Sequence, residues 1–236
     1  MIDLLGNAIH DYYLNNNNNN PLVTWTSLTD KETLDCKYFF RKYDEMPLIE
    51  KKALDLSKGK ILDVGCGAGC HSLYLQDFKK ENVTSIDISK KCIEVSKLLG
   101  LKKTINQSFF KHKNDKYDTI LFLMNGAGIC GTLDRLELLL NHSAKLLNDN
   151  GQLLIDSSDL IYLFDKDLDG GVWVRGDKYY GELTYSLSYG KQVEKFPWLY
   201  VDYEKLEEIA FKNKLHCEKM ISGENYDYLA KITKVC

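Results

Sequence analysis

Several features that mark membrane, secreted or nucleic-acid-binding proteins are missing from this 236-residue chain. No apolar run approaches the roughly 20 residues that a membrane-spanning helix needs. The first residues include Asp3 where a signal peptide has basic residues, so we expect neither a transmembrane helix nor a secretory leader. The net charge is −3, and the densest basic stretch, 111–116, is interrupted by Asn114 and Asp115. We therefore expect no membrane and no nucleic-acid partner.

Cysteine is present in an odd number and in no recognisable order. The seven cysteines are scattered, and without a leader we expect reduced thiols in the cytoplasm. Cys66 and Cys70 are not spaced as a zinc pair, and no histidine–cysteine cluster completes such a site, so we expect no metal ion. The 44% hydrophobic content predicts one domain with a sizeable core and room for an appended cap. The sequence does not indicate an oligomeric state.

The most informative segment is 61–69, which reads Ile-Leu-Asp-Val-Gly-Cys-Gly-Ala-Gly. Its apolar residues are typical of a buried parallel strand, and Gly65, Gly67 and Gly69 allow a sharp turn. Because glycine has no Cβ, a ligand can lie against the backbone where the next helix begins, near Cys70. Strand, turn and helix together predict the first half of a nucleotide-binding βαβ unit.

Two acidic residues indicate which nucleotide binds. The dinucleotide fingerprint needs a third glycine at position 70, where this chain has Cys70. Asp63, two residues before the first glycine, would repel a pyrophosphate and suits the amino group and sulfonium of S-adenosylmethionine (SAM). Asp87 follows a second β-rich run, 22 residues after Gly65 (87 − 65), close to the offset at which an acid meets ribose hydroxyls. Alternatively, Asp87 or Ser89 caps the following helix.

Four segments together resemble the class I SAM-dependent methyltransferases, over roughly residues 38–233. Residues 63–69 are similar to the first motif of that family and 85–89 to its second. Residues 117–125 resemble its fourth strand, and 146–156 resemble the turn into its fifth. The resemblance implies an α/β fold with a Rossmann-like seven-stranded sheet, mostly parallel, that ends in an antiparallel hairpin.

The pattern along the chain predicts how that fold is elaborated. An aromatic-rich N-terminal arm covers 1–50, and the methyltransferase domain covers 51–236, with a cap insertion at 159–200 after the fifth strand. Hydrophobic periodicity predicts helices at 133–147 and 203–212 and strands at 182–189 and 193–201. We expect the arm and the insertion to cover the substrate pocket together.

The resemblance also implies SAM as the cofactor and a set of residues that bind it. The family usually has an acid after the third strand that binds the adenine amino group, but this chain has 107–109, Gln-Ser-Phe. Ser108 or Gln107 would replace the acid, and Phe109 would pack on the base. Arg41 would reach the SAM carboxylate; alternatively it is a surface arginine. The expected cofactor-binding residues are Asp63, Gly65, Cys66, Gly67, Gly69, Asp87, Ile88, Ser108, Phe109, Asn125 and Arg41.

Methyl transfer from a sulfonium needs little from particular catalytic residues. It is an in-line displacement, accelerated by alignment and exclusion of water, with a general base only if the acceptor atom keeps its proton. Candidates near the carboxyl ends of the strands are His71, Asn125 and Asp156. Each has an ordinary alternative: a helix residue for His71, a turn residue for Asn125 and a loop cap for Asp156.

The segment after the fourth strand narrows the range of acceptors. Family members that methylate nucleobase amines or glutamine amides carry a Pro-Pro-aromatic motif there, whereas 125–128 holds no proline. No proline of the chain precedes cysteine, as pyrimidine-C5 enzymes require. We therefore expect N-, O- or C-methylation of a small molecule, and the aromatic cap favours a partly apolar or cationic one. A protein or peptide methyltransferase and a non-catalytic SAM- or nucleotide-binding module remain as alternatives.

Overall fold

A computed structural model of the chain describes residues 2–15, 20–113, 115–165, 167, 169, 171–174, 176 and 178–235. Its α-helices are α1 Leu4–Asn15, α2 Leu48–Leu56, α3 Cys70–Asp77, α4 Lys90–Leu98, α5 Leu133–Leu146 and α6 Tyr203–Lys212. Its strands are β1 Leu22–Thr26, β2 Glu32–Leu34, β3 Lys60–Val64, β4 Asn82–Asp87, β5 Thr104–Asn106, β6 Tyr117–Phe122, β7 Leu147–Ser158, β8 Glu182–Tyr189, β9 Gln192–Leu199, β10 Leu215–Ser222 and β11 Asp227–Lys234. None of the helices in these ranges has both the length and the apolar character to cross a membrane.

Seven strands form the main sheet, in the order β5-β4-β3-β6-β7-β11-β10. The strands from β5 to β7 run parallel, whereas β11 pairs antiparallel with β7 and β10 pairs antiparallel with β11. The predicted Rossmann-like sheet with its C-terminal antiparallel hairpin is therefore confirmed. After β3 the chain adds β4 and β5 on one side of that strand, and it then crosses over to add β6 and β7 on the other side. The strand order therefore reverses between β3 and β6, and sheets of this kind bind ligands in the crevice at the carboxyl ends of these two strands.

The core explains why these segments fold as they do. Helices cover both faces of the parallel strands, so strand residues such as Leu62 and Ile120 are apolar and 0% exposed. The leucine pattern predicted for 133–147 is confirmed by α5, whose Leu136, Leu139 and Leu140 are fully buried against the sheet. The predicted helix at 203–212 coincides with α6, which Asp202 caps through the backbone N–H of Lys205.

A second, four-stranded antiparallel sheet joins two distant parts of the chain, in the order β2-β1-β8-β9. Strand β1 of the N-terminal arm pairs with β8 of the insertion, from Leu22 opposite Tyr189 to Thr26 opposite Tyr185. The arm and the insertion are thus one layer and not two separate flaps. The domain boundary expected at residue 50 lies inside α2.

Helix α1 was not predicted: Asp3 precedes it and accepts a hydrogen bond from the backbone N–H of Gly6, but the sequence of the helix has little amphipathic contrast. It forms where Leu4, Ala8 and Ile9 pack into a third hydrophobic cluster, together with Val95 of α4 and Leu187 of β8. Tertiary packing supplies most of the stability of a short helix of this kind. The helix therefore links the second sheet to the side of the main sheet that carries β4.

Candidate functional site

The glycine turn after β3 begins the site. All three glycines have positive φ: +74° at Gly65, +55° at Gly67 and +92° at Gly69. A Cβ added to Gly65 or Gly67 would meet no atom within 4 Å, whereas one on Gly69 would lie 2.6 Å from Cδ1 of Leu101. The first two glycines therefore leave room for a ligand to approach the backbone, and the third allows close packing at the start of α3.

Asp87 lies at the carboxyl end of β4 and holds the turn in place. Its carboxylate accepts hydrogen bonds from the backbone N–H of Gly67 (2.9 Å) and of Ser89 (2.8 Å). The sequence offers Asp87 or Ser89 as the cap of the following helix. The cap is Ser89, whose hydroxyl accepts a hydrogen bond from the backbone N–H of Cys92 at the start of α4. Burial raises the pKa of Asp87, although both N–H donors oppose the shift. Ile88, the next residue, is 58% exposed.

Asp63 supports the turn from inside the fold. It is 2% exposed, and its carboxylate accepts a hydrogen bond of 2.6 Å from the hydroxyl of Ser72 in α3. Ser72 in turn accepts from Ser85 of β4 at 2.7 Å. Burial raises the pKa of Asp63, opposed by His71 and Ser72. Cys66 is also buried, and burial together with the neighbouring acids holds its pKa well above the ordinary thiol value.

A buried ion cluster lies beside the first turn of α3. Glu50 of α2 accepts a hydrogen bond from Nη2 of Arg41 and another, of 2.7 Å, from Nε2 of His71. All three residues are at most 5% exposed, so the surface alternative for Arg41 is wrong. Burial opposes ionisation of Glu50, but His71 and Arg41 prevail and its pKa is lowered. Burial would likewise lower the pKa of His71, yet Cys70, Glu50 and Asp63 hold it well above its usual value.

Glu50 is the site residue that the sequence analysis missed. A single glutamate within an amphipathic helix resembles any solvent-facing residue, and its two partners lie 9 and 21 residues away along the chain. Nothing in the local sequence distinguishes it from nearby acids such as Asp44 and Glu45. Its role is visible only in the folded chain.

Asp156 at the end of β7 shapes the loop after β6. Its carboxylate accepts from the backbone N–H of Met124 (3.1 Å) and of Gly126 (2.9 Å). Met124 and Asn125 both have positive φ, +63° and +56°, which is unfavourable for residues that carry a Cβ. Burial raises the pKa of Asp156 to about 6, opposed by the N–H donors of this loop. The predicted loop cap is thus present, in a carboxylate that stays mostly ionised at neutral pH.

The side chain of Asn125 connects the main sheet to the second sheet. Its Nδ2 donates to the carbonyl of Leu199 in β9 (3.2 Å), and its Oδ1 accepts from the hydroxyl of Ser157 (2.8 Å). Ser157 also accepts from the N–H of Val201 (2.9 Å). Nearby, the indole of Trp198 lies so close to Gly128 that an added Cβ would be 1.9 Å from its Cε2. The second sheet is therefore anchored directly over the loop after β6.

Tyrosines of the arm and of the insertion lie within electrostatic range of the carboxylates at this end of the sheet. Tyr38 of the arm stacks under the guanidinium of Arg41, at 3.9 Å from ring centre to Cζ. The pKa of Tyr200 is raised by burial first, and also by the proximity of Tyr185, Tyr162 and Asp156. The N-terminal arm and the insertion thus each place a tyrosine near the buried carboxylate of Asp156.

The residues expected to bind the adenine, 107–109, differ in their exposure. Ser108 is partly exposed and precedes a short 3-10 helix, Phe109–Lys111. Phe109 is 3% exposed, and its ring packs edge-on against Phe122 (4.9 Å) and His142 (4.8 Å) in the core. Gln107 contacts His112. Adenine recognition by Ser108 and Phe109 stays a prediction.

Most of the predicted residues meet at one end of the main sheet. A hydrogen bond joins the glycine turn to Asp87, and Asp63 and Asp156 each lie within electrostatic range of His71. Among the residues that the structure describes, no three histidine, cysteine or acidic side chains form a group that could hold a metal ion. The site thus brings acids and the buried ion cluster to the carboxyl end of the parallel strands, where sheets of this topology bind ligands.

Comparisons with known proteins agree with this geometry. A family model described as a methyltransferase domain matches residues 37–200. The chain is 39% identical to a SAM-dependent methyltransferase from Bacteroides fragilis, solved in complex with S-adenosyl-L-homocysteine (SAH). That match covers 99% of this chain and 95% of the other, with a TM-score of 0.90. A search of curated proteins finds no match.

Two more distant structures share the fold. The sugar N-methyltransferase KedS8 from Streptoalloteichus is 15% identical, with 83% of this chain and 87% of the other covered and a TM-score of 0.57. The amino pentose methyltransferase CalS10 from Micromonospora echinaspora, solved with SAM, is 13% identical, with 87% and 99% covered and a TM-score of 0.59.

Proposed function

This chain belongs to the SAM-dependent methyltransferases, and we propose that it transfers the methyl group of SAM to a small-molecule acceptor by in-line displacement. When bound, SAM supplies an electrophilic methyl group on a sulfonium. The open space at Gly65 and Gly67 fits this cofactor, because a pyrophosphate-free nucleoside can lie against the bare backbone there. Asp87 would accept the ribose hydroxyls, and the exposed Ile88 would cover one face of the adenine.

The observation that carries the small-molecule assignment is the anchoring of the second sheet over the crevice. Asn125 binds Leu199, and Trp198 packs on Gly128, so β9 lies over the end of the main sheet where the acceptor must enter. A cover of this kind excludes water from the transferred methyl group. It favours an enclosed pocket over the open groove that a protein or peptide acceptor would need. The sugar acceptors in the names of the two distant relatives are consistent with this size class.

At the proposed acceptor end of the site, few of the residues that the structure describes can move a proton. Asp156, with its pKa raised to about 6, is mostly ionised at neutral pH and can accept a proton from an acceptor that keeps one. His71 is hydrogen-bonded to Glu50, and Cys70, Glu50 and Asp63 hold its pKa well above the usual value, so it is poorly suited as a base. We therefore assign any general-base role to Asp156. The nucleophilic atom, nitrogen, oxygen or carbon, is left to experiment.

Ligand-induced thermal stabilisation tests the cofactor assignment. SAM and SAH should raise the melting temperature, and NAD should not. Asp87→Asn should weaken SAH binding by about tenfold or more, since one charged acceptor for the ribose diol is lost. Asp149→Ala is the matched control, because that acid is fully exposed and pairs with Lys234, away from the glycine turn. Stabilisation by NAD alone, or an Asp87→Asn variant with unchanged SAH affinity, would contradict the assignment.

The acceptor is tested by measuring SAH formation with panels of small amines, alcohols and phenols, and separately with peptides. Turnover with a small molecule supports the proposal. Turnover with peptides alone would identify a protein methyltransferase instead. SAM binding without SAH formation across both panels would favour a non-catalytic module.

A further inference from the structure

Tyr200 follows β9 and is held beside the carboxyl end of β7. Both of its neighbours in the chain are hydrogen-bonded to this end of the main sheet. The carbonyl of Leu199 accepts from Asn125 in the loop after β6 (3.2 Å), and the N–H of Val201 donates to Ser157 of β7 (2.9 Å). Ser157 also donates to Asn125, at 2.8 Å. The position of Tyr200 is therefore fixed on both sides.

The side chain of Tyr200 is directed away from the core and towards Asp156. Leu199 and Val201 are fully buried in the hydrophobic cluster that includes α5 and α6. Because successive side chains of an extended chain alternate, the residue between them faces the other way. There Tyr200 lies within electrostatic range of Asp156. The insertion supports this position, since the N–H of Tyr200 donates to the carbonyl of Gly181 (2.8 Å).

Asp156 is an almost buried carboxylate whose hydrogen-bond partners are neutral. It is 8% exposed, and it accepts from the backbone N–H groups of Met124 and Gly126. None of the ion pairs between described residues includes Asp156. His71 lies within its electrostatic range but is already bonded to Glu50. A buried carboxylate of this kind is stabilised by an added cation.

We propose that the methyl acceptor is a small amine, which binds as an ammonium ion between the carboxylate of Asp156 and the ring of Tyr200. This inference rests on the proposed function and names its substrate class. The carboxylate provides a charge-assisted hydrogen bond, and the face of an aromatic ring attracts a cation. Tyr38 of the arm contributes a second ring within electrostatic range of Asp156. Acceptors that become anions, such as phenols, would be repelled by the same carboxylate.

Asp156 can also take the proton that an ammonium ion must lose before it reacts. Desolvation lowers the pKa of an ammonium ion, and burial raises the pKa of Asp156 to about 6. An N–H proton passes to Asp156, and the freed lone pair bonds to the methyl carbon as the carbon–sulfur bond breaks and sulfur keeps its electrons. The products are an N-methylated ammonium ion and SAH, and Asp156 then returns its proton to water.

The test uses primary and secondary amines, each paired with the alcohol of the same shape, such as benzylamine with benzyl alcohol, together with phenols. Calorimetric titration measures how each compound binds to protein saturated with SAH, and SAH formation from SAM measures turnover. We expect an amine to be methylated and its alcohol to bind at least about tenfold more weakly. Asp156→Asn should weaken binding of that amine by about tenfold or more, and SAH binding by less than about threefold.

Two variants of Tyr200 separate the role of its ring from that of its hydroxyl. Tyr200→Phe keeps the ring and should bind the amine within about twofold of the wild type. Tyr200→Leu removes the ring and should weaken amine binding by about fivefold, with little effect on the alcohol. The control is Asp118→Asn, the same replacement at the opposite end of the main sheet, where Asp118 accepts from Lys60 and Asn148. It should leave both affinities unchanged.

The outcomes distinguish this inference from the proposed function. Methylation of alcohols or phenols but of no amine would overturn the inference and leave the proposed function in place. Equal losses of amine and SAH affinity in Asp156→Asn would also overturn it, because the carboxylate would then serve the cofactor. Absence of methylation with every small molecule would refute the proposed function itself. Should Asp156→Asn fail to fold, the comparison of Tyr200→Leu with Tyr200→Phe decides.

Discussion

The hydroxyl of Ser89 donates a hydrogen bond of 2.9 Å to the carboxylate of Asp3, which connects the N-terminal segment to the loop that carries Asp87. The same segment is held from the other side by Glu194 of β9, which accepts from the backbone N–H of Ile2 and Leu4. The start of the chain therefore links the second sheet to the predicted ribose site. Any movement of the cover must strain these contacts.

Removing the charge of Asp3 should lower the pKa of Asp87. Burial is the main reason that this pKa is raised, and the negative charge of Asp3 raises it further. Asp3→Asn keeps the shape and tolerates the positive φ of +61° at this position. We expect the pKa of Asp87 to fall but to stay above its ordinary value of 3.8, as measured by carbon-13 NMR titration of the carboxyl groups.

The control for that titration is Asp11→Asn, since Asp11 lies on the helix that follows Asp3 but pairs with Tyr189 and not with the loop of Asp87. Its substitution should leave Asp87 unchanged. A pKa of Asp87 that rises in Asp3→Asn, or that shifts equally in both variants, would show that the contact to Asp3 does not act electrostatically.

Gly67→Ala should separate cofactor binding from stability. The new methyl group meets no protein atom, so the expected loss of stability is the strain of a left-handed alanine, about 1–2 kcal/mol. It would, however, occupy the space that we assign to the cofactor, and SAH affinity should fall by about tenfold or more. Calorimetric titration measures the affinity, and urea unfolding measures the stability.

Gly190→Ala provides the matched comparison. Gly190 has a similar φ, +61° against +55°, and lies in the turn between β8 and β9 with only an ordinary contact to Asn20 at 3.8 Å. It should lose a similar amount of stability and no SAH affinity. Equal affinities in the two alanine variants would mean that the cofactor does not approach Gly67.

The family resemblance predicted the main sheet, and local pattern predicted the position of the cofactor turn and several separate helices and strands. The helix at 203–212 matches α6 because a cap and a regular apolar stripe fall within a short continuous segment. The strand predicted at 182–189 matches β8 for a similar reason: its polar and apolar residues alternate along one continuous segment. The glycine turn and Asp87 were found because their spacing along the chain is set by one βαβ unit.

The features that the sequence could not reveal depend on contacts between distant segments. Strand β1 pairs with the distant β8, and its own short β-rich run, Leu22–Thr26, does not reveal that partner. Helix α1 depends on burial against α4. Glu50 is recognisable only once Arg41 and His71 are brought to it. Charge, unlike hydrophobicity, leaves no periodic trace that distinguishes a buried residue from an exposed one.

The pH dependence of stability should report the buried carboxylate of Asp156. Its pKa is raised from 3.8 to about 6 in the folded protein, so the folded state binds a proton that the unfolded state has already lost. Stability must therefore fall as the pH rises from about 4 to about 6, by about 3 kcal/mol at 1.4 kcal/mol for each pH unit, and then level off. Asp156→Asn lacks this proton, and its oxygen can still accept from Gly126.

The measurement is urea unfolding of both proteins between about pH 4 and pH 7, and the informative quantity is the wild-type free energy of unfolding minus that of Asp156→Asn. This difference should decrease through the range, because other carboxylates titrate alike in both proteins and cancel. Asp118 offers a control of opposite sign. Hydrogen bonds from Lys60 and Asn148 lower its pKa, so its stabilising effect is largely retained above its ordinary value of 3.8 and is lost as the pH falls towards its lowered pKa. The corresponding difference for Asp118→Asn should stay flat over the same range, and a flat Asp156 difference would mean that this carboxylate is not desolvated in the folded protein.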